Sequence, residues 1–181
     1  MRFELSDTLH LRPVTAADTD ELWELTIANQ AHLARWMPWA VAAPLREQTA
    51  EWVANAERQV AEDNGFQCLV LDDGRIAGCV GFHRVDWVNG VTSLGYWLAE
   101  DAQGRGTMTS AVRTLVQHAF EAWQLHRVQI EAAHENRRSR AVPERLGFRQ
   151  EGVLREAELV GGRRLDHVVY GLLAPEWRGG R

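Results

Sequence analysis

Apolar and polar residues follow two different periods along the chain, and the places where the period changes mark the predicted elements. Leu9, Leu11 and the stretch up to Val14 alternate with His10 and Arg12, the period of a half-buried strand. Pro13 places that strand at an edge or at its end. Residues 15–20 supply capping side chains and early negative charge. Leu22, Trp23, Leu25, Thr26 and Ile27 follow at helical spacing, which predicts a first helix to about residue 29. A second long helix is predicted over 46–63, with Trp52, Val53, Ala56 and Val60 on one face and Asn64-Gly65 closing it. Between the two, Leu33-Ala34-Arg35-Trp36-Met37-Pro38-Trp39 sets two tryptophans around a Met-Pro in a turn. That turn reads either as a hydrophobic lid on the core or as a substrate-side wall, since tryptophan is mostly buried wherever it occurs.

The period then shortens to that of strands. Residues 66–71 form one strand, Asp72-Asp73-Gly74 a hairpin turn, and 75–86 the returning strand. Asn89-Gly90 is a second turn signal and leads into the strand over 91–98. Gly95 inside that strand predicts a bulge or a close backbone approach, with plain packing as the alternative. The most regular helical pattern follows, with Met108, Val112, Leu115, Val116, Ala119, Phe120 and Trp123 on one face. A strand is expected over 125–133, a short helix over 139–146, and a last pair of strands over 150–159 and 165–173 around Gly161-Gly162. A helix between the strands at 91–98 and 125–133 favours their parallel pairing or close adjacency.

The chain of 181 residues fits a single domain, taken as 1–177 with a loose tail at 178–181. With 45% hydrophobic and 25% charged residues it has the composition of a globular protein with a full core. A formal charge of -5 argues against general nucleic-acid binding, which usually carries a basic excess. No apolar run has the length of a signal peptide or a membrane span, so a cytoplasmic protein without membrane attachment is expected. The two cysteines, Cys68 and Cys79, lie in apolar strand-like runs with no metal-ligand spacing. Buried thiols are expected there, and no metal.

The candidate chemistry begins between the strand at 91–98 and the helix after it. Asp101-Ala102-Gln103-Gly104-Arg105-Gly106-Thr107-Met108 puts two glycines around one residue at a helix start. Glycine lets successive backbone N–H groups turn toward one point, and the helix adds its unpaired donors and positive dipole end, so an anion belongs there. A P-loop would need lysine and then serine or threonine after the second glycine, and Thr107-Met108 does not supply them. A dinucleotide fingerprint would need a third small residue at Thr109 in a first strand-turn-helix unit, and this unit lies in mid-chain.

The remaining pattern resembles the GNAT acyltransferases, and within them the Rim-type ribosomal-protein N-terminal acetyltransferases. The family's acyl-CoA signature, Q/R-x-x-G-x-G/A, falls on Asp101-Ala102-Gln103-Gly104-Arg105-Gly106, with both glycines matched and Asp101 replacing the usual Gln or Arg. Asn136-Arg137-Arg138-Ser139-Arg140-Ala141-Val142-Pro143-Glu144-Arg145-Leu146-Gly147-Phe148 is similar to a second block of that branch. So are Gly95-Tyr96-Trp97-Leu98 and Trp36-Met37-Pro38-Trp39. Four blocks in order cover nearly the whole chain.

The resemblance implies an α/β (α+β) single-domain GNAT fold: a mixed, mostly antiparallel twisted sheet of about seven strands, flanking helices, and a splayed strand pair holding acyl-CoA. It implies acetyl-CoA as acetyl donor, no metal, and a primary amine as acceptor, most simply the α-amine of a protein or peptide N-terminus. The donor would lie between the strands at 92–98 and 127–133, contacting Tyr96, Trp97, Leu98, Gln103 and Met108, with its pyrophosphate on Gly104, Arg105, Gly106 and Thr107. Asn136 and Ser139 match positions near the thioester, and Asn136 also suits a helix cap.

The implied reaction is direct attack of a neutral amine on the thioester. An α-amine titrates near 8, roughly two units below lysine, so a modest base acting through water suffices. A backbone N–H near residues 95–97 would stabilise the oxyanion. Many GNAT enzymes protonate the leaving thiolate with a tyrosine, but Pro143 occupies that position, and Ser139 matches the acid proposed for the Rim-type branch. Ser139 equally suits a cap or a cofactor ligand. No carboxylate stands at Ser93 or Gln67, which leaves His83 as a candidate base or substrate contact, beside Trp36 and Trp39 on the acceptor side. Glu156, Glu158 and Asp166 flank the expected mouth, either as solvated charge or as binders of a cationic amine. A small-amine acetyltransferase of the same fold, or a CoA-binding module without turnover, stays open at this point, and a homodimer is permitted.

Overall fold

The computed structural model describes residues 1–177, so the tail expected at 178–181 lies outside the described residues. In chain order the elements are β1 (Phe3–Glu4), β2 (Leu9–Pro13), α1 (Thr19–Ala28), α2 (Gln30–Leu33), α3 (Arg46–Ala61), β3 (Gln67–Asp72), β4 (Arg75–Asp86), β5 (Val91–Leu98), α4 (Thr107–Gln117), β6 (Arg127–Ala133), α5 (Arg137–Arg145), β7 (Arg149–Val160) and β8 (Arg163–Leu173). The strands make one sheet in the order β1-β2-β3-β4-β5-β6-β8-β7. Every neighbouring pair is antiparallel except β5 with β6. The count of eight, against about seven expected, comes from β1, a two-residue strand folded back on β2.

Helices cover both faces. On one side α4 presents Ala111, Val112, Leu115, Val116 and then Ala119, all fully buried against Val80, Phe82, Leu94 and Ile130. On the other, Leu22 of α1 and Val53 and Ala56 of α3 pack on Leu69, Leu71, Ile76 and Cys79. Successive residues of a strand point to opposite faces, so a strand sandwiched between helices must be apolar at every position. That is why β3 reads Cys68-Leu69-Val70-Leu71 without alternation. Both cysteines are buried as free thiols, and burial pushes the Cys68 thiol up to about 12 and raises that of Cys79 further. No helix among the described residues is long and apolar enough to cross a membrane.

The helical pattern up to Trp123 is realised with one irregularity. After Gln117 the chain takes a π-helical turn, His118–Ala122. Beyond the wider turn Trp123 packs at a tilt against Phe82, with ring centroids 4.6 Å apart, and edge-on against His118 at 4.9 Å.

One ion pair ties the sheet to α1. Arg12 on β2 donates two hydrogen bonds to the buried Asp18, of 2.8 and 2.6 Å, and the Thr15 N–H and hydroxyl donate to the same carboxylate. The Arg12 guanidinium is the main cause holding the Asp18 carboxyl below its ordinary range, and Thr15 adds to it against the burial penalty. A folded-state pKa below the unfolded value of about 3.9 means this stabilisation is complete at neutral pH and lost as pH falls through the depressed value. Asp18→Asn is expected to lower unfolding free energy by about 2 kcal/mol at pH 7 in urea titrations, and the difference should shrink below about pH 4.

Candidate active site

The site begins where β5 and β6 part. Their parallel register runs from Val91 opposite Arg127 to Leu94 opposite Ile130 and stops. Beyond it β5 stays paired with β4 as far as Leu98 opposite Gly78, and β6 stays paired with β8 as far as Ala133 opposite His167. The facing edges of Gly95-Tyr96-Trp97-Leu98 and Glu131-Ala132-Ala133 therefore offer backbone donors and acceptors to a guest rather than to each other. A cavity of about 730 Å³ opens at this gap, bringing Trp36, Trp39, His83, Tyr96, Trp97, Asn136 and Ser139 to one space.

The irregularity expected at Gly95 resolves into a close approach, with the bulge one strand away. A Cβ on Gly95 would lie 2.5 Å from His83 Nε2. The register shift falls in β4 between Phe82 and Val85, opposite the Thr92 to Leu94 stretch. It turns His83 over β5, where its Nδ1 lies 3.0 Å from Ser93 Oγ. Partial desolvation beside β5 pushes the His83 pKa below its ordinary value, against the pull of Glu131, and favours the neutral ring at pH 7, although the side chain stays solvent-exposed.

The glycine loop lies at the other end of β5. Gly104 and Gly106 have φ of +82° and +81°, in the left-handed region, and the space where their side chains would be is open. Gly106 is the residue before α4, and no side chain caps the helix. The first helical bond runs from Ser110 N to Gly106 O, which leaves the N–H groups of Thr107, Met108 and Thr109 without helical acceptors. Thr107 and Met108 bury their side chains, so they can meet a ligand only through the backbone. Leu98 is buried likewise. Arg105 turns its side chain away, donating to the Asp101 carbonyl at 3.1 Å and standing 3.8 Å from Asp72. An uncapped helix start behind two open left-handed glycines is a seat for an anion held by backbone amides.

Across the gap, α5 begins at Asn136, whose side chain accepts from Ser139 N at 3.2 Å. The cap role is thus realised, and Asn136 still lines the cavity. Four residues after Ser139 comes Pro143, which has no N–H to return to the Ser139 carbonyl. The Tyr96 hydroxyl takes that place, donating to Ser139 O at 2.9 Å, while Ser139 Oγ donates to Tyr96 Oη at 3.4 Å. Burial raises the Tyr96 pKa against the Ser139 hydrogen bond, so Tyr96 keeps its proton. Pro143 leaves the Ser139 carbonyl free for the tyrosine of β5.

The acceptor side contains groups that periodicity did not single out. His167 of β8 lies with Nε2 3.2 Å from Glu158 of β7 and Nδ1 3.7 Å from Glu131 of β6, and all three line the cavity. Of the three acidic residues placed near the mouth by sequence, only Glu158 lines the cavity. Asp166 accepts from Glu156 N in the hairpin, and the Glu156 carboxylate stands 3.9 Å from Arg164. His167 pairs with Ala133 of β6, and only the sheet order brings it there. Trp36 packs on Ala133, Val160 and Leu165, and Trp39 stands 6.1 Å from Trp97. Arg163 at the β7–β8 turn donates to Arg35 O at 3.2 Å and so joins the hairpin to the tryptophan segment across the cavity. Among the described residues no group of three or more histidine, cysteine or acidic side chains is placed to hold a metal.

Comparison with known proteins gives a consistent result. The family model for an acetyltransferase (GNAT) domain matches residues 8–149. YdaF of Bacillus subtilis (strain 168) is 38% identical over 177 residues, covering 97% of each chain. The ribosomal protein uS5-alanine N-acetyltransferase of Escherichia coli (strain K12) is 32% identical, over 97% of this chain and 93% of that one. Among solved structures, RimL, the ribosomal L7/L12 alpha-N-protein acetyltransferase in complex with coenzyme A, superposes with a TM-score of 0.91 at 26% identity, over 96% of this chain and 98% of its own.

Proposed function

This chain belongs to the GNAT acetyltransferase family and is an acetyl-CoA-dependent N-acetyltransferase, and on that premise we propose that its acceptor is the α-amine at the N-terminus of a protein. The observation that carries this reading is the cavity, which continues from the strand gap past Ser139 to Glu131, Glu158 and His167 under the tryptophan segment. A carboxylate cluster suits an incoming ammonium group, and apolar walls suit the chain behind it. Relatives named for acetylating ribosomal proteins favour a ribosomal-protein substrate, which would place the reaction in the cytoplasm.

The donor supplies an activated acetyl thioester. On this reading the backbone edge of Tyr96, Trp97 and Leu98 pairs with its pantetheine arm, and the amides from Gln103 to Met108 carry its pyrophosphate. Asn136 and Ser139 close the thioester end, and Ser139 Oγ hands its proton to the departing thiolate. Trp36 and Trp39 wall the acceptor, and neutral His83, braced on Ser93, meets its first residue.

The test is a panel of acceptors followed by mass shift and thiol release. At neutral pH an α-amine offers about 100-fold more neutral nucleophile than a lysine side chain, from the difference of roughly two pKa units. Peptides with free N-termini are therefore expected to exceed N-blocked lysine peptides and simple polyamines by at least about that factor in kcat/KM. Equal turnover of small amines would transfer the assignment to a small-molecule acceptor. Bound donor with no acceptor turned over would reduce the protein to a binding module.

A further inference from the structure

Next to the glycine loop, three side chains from three parts of the chain meet in a line. Gln103, the residue before Gly104, has its Nε2 2.7 Å from His32 Nε2 on α2. Its Oε1 accepts from Arg138 Nη1 at 2.8 Å, in the first turn of α5. The hydrogen-bonding inventory of these groups leaves one assignment. Arginine can only donate, so the amide oxygen must face Arg138. The amide NH₂ then faces His32, whose Nε2 must accept and must be unprotonated, with the ring proton on Nδ1, a buried atom that makes no hydrogen bond of its own.

A charged His32 breaks this line at its far end. With both ring nitrogens donating, His32 accepts nothing, and Gln103 can meet it only by turning its oxygen inward. The NH₂ group then faces the Arg138 guanidinium, donor against donor. Among the described residues Arg138 has no carboxylate within ion-pairing distance, and its contact at the loop is the one with Gln103.

We infer that Gln103 is a positioning residue that reads the charge of His32: with His32 neutral it braces Arg138 over the glycine loop for the phosphates of the donor, and protonation of His32 turns the amide and releases Arg138. The inference rests on the glycine loop as the donor's phosphate seat. The groups facing His32 are Glu100, which follows β5, Arg35, which follows α2, and Arg138 itself. Burial is the main cause lowering the His32 pKa, opposed by Glu100 and reinforced by Arg35 and Arg138. The braced state is therefore the state at neutral pH, and release begins only as pH falls below the ordinary histidine value of about 6.5. The brace also connects α2, which leads into the tryptophan segment of the acceptor side, to the donor's loop.

The experiment compares binding of CoA by calorimetry to the wild type, His32→Gln and Arg138→Gln between pH 5.5 and 8. The second phosphate ionisation of CoA falls in the same range, so the quantity read is the ratio of Kd between wild type and His32→Gln, in which the ligand's own titration cancels. Glutamine at 32 can accept from Gln103 and does not titrate. The ratio is expected near 1 at pH 8 and to rise by roughly threefold to tenfold at pH 5.5, the range of one charge-assisted contact to phosphate. Arg138→Gln should weaken binding by a similar factor at pH 8 and remove the rise. In the free protein, ¹⁵N chemical shifts should give the Nδ1–H tautomer for His32 at pH 8, and its pKa should move up in Arg138→Gln. A flat ratio, an Nε2–H tautomer, or unchanged binding in Arg138→Gln would overturn the brace while leaving the phosphate seat intact. Absence of CoA binding by the wild type would overturn both.

Discussion

Ser139→Ala is expected to lower kcat by about 100-fold or more while leaving Kd for CoA within about threefold, because the hydroxyl is asked to supply a proton to the leaving thiolate and little else. The substitution leaves the other contacts of Ser139 in place. The cap of α5 uses the Ser139 N–H, which alanine retains. The bond from the Tyr96 hydroxyl uses the Ser139 carbonyl, which alanine also retains. Only the Oγ donor is lost, and it lies at the gap between β5 and β6. Tyr96→Phe separates support from supply. It leaves the Ser139 carbonyl without a partner, since Pro143 cannot provide one, and should cost stability as well as rate, by about 1–3 kcal/mol in urea titrations. Thiol release under saturating acceptor gives kcat, and calorimetry gives the donor affinity. A Ser139→Ala enzyme with wild-type kcat would remove Ser139 from proton transfer and leave Tyr96 as the hydroxyl at the gap. A variant with weakened CoA binding and unchanged kcat would make Ser139 a donor ligand only.

The elements of the strand, glycine loop and helix from β5 to α4 were legible because they are local. A helix period, a strand run and two glycines between them describe β5, the loop and α4 within one stretch of sequence, and the structure puts them where the pattern predicts. The short helix with Asn136 at its head was legible for the same reason. The acceptor side is assembled differently. Glu131, Glu158 and His167 come from three strands, and each is one polar residue in an ordinary alternation, so nothing local distinguishes them from solvated face. Their meeting depends on β8 inserting between β6 and β7, which is a fact of sheet order rather than of period. The bulge was displaced for a related reason: the glycine that marks the irregularity is on β5, while the extra residue that makes it is on β4. The line from His32 through Gln103 to Arg138 spans more than a hundred positions of the chain and has no periodic signature at all.

The second large effect is expected at Glu158. Glu158→Gln should lower kcat/KM by about tenfold to 100-fold at pH 7.5, in a range reduced by the acceptor's own readiness, since an α-amine with a pKa near 8 is already partly neutral there. His167 stands between two carboxylates, 3.2 Å from Glu158 and 3.7 Å from Glu131. Glu158→Gln replaces the nearer carboxylate by a neutral amide with almost no change in volume. Glu156→Gln, two residues away and directed toward Arg164, is the matched control and should leave kcat/KM unchanged. The pH dependence separates the two things a carboxylate can do here. If Glu158 takes the proton from the ammonium, directly or through water, raising the pH through about 8 supplies neutral amine without its help, and the deficit of the variant should narrow. If Glu158 instead holds the ammonium by charge, the same rise in pH removes the charge from the wild-type complex as well. The variant would then show its deficit mainly in KM, with kcat preserved on both sides of pH 8. A kcat deficit that stays constant from pH 7 to 9 would fit neither role, and would place the proton acceptor at neutral His83 across the cavity.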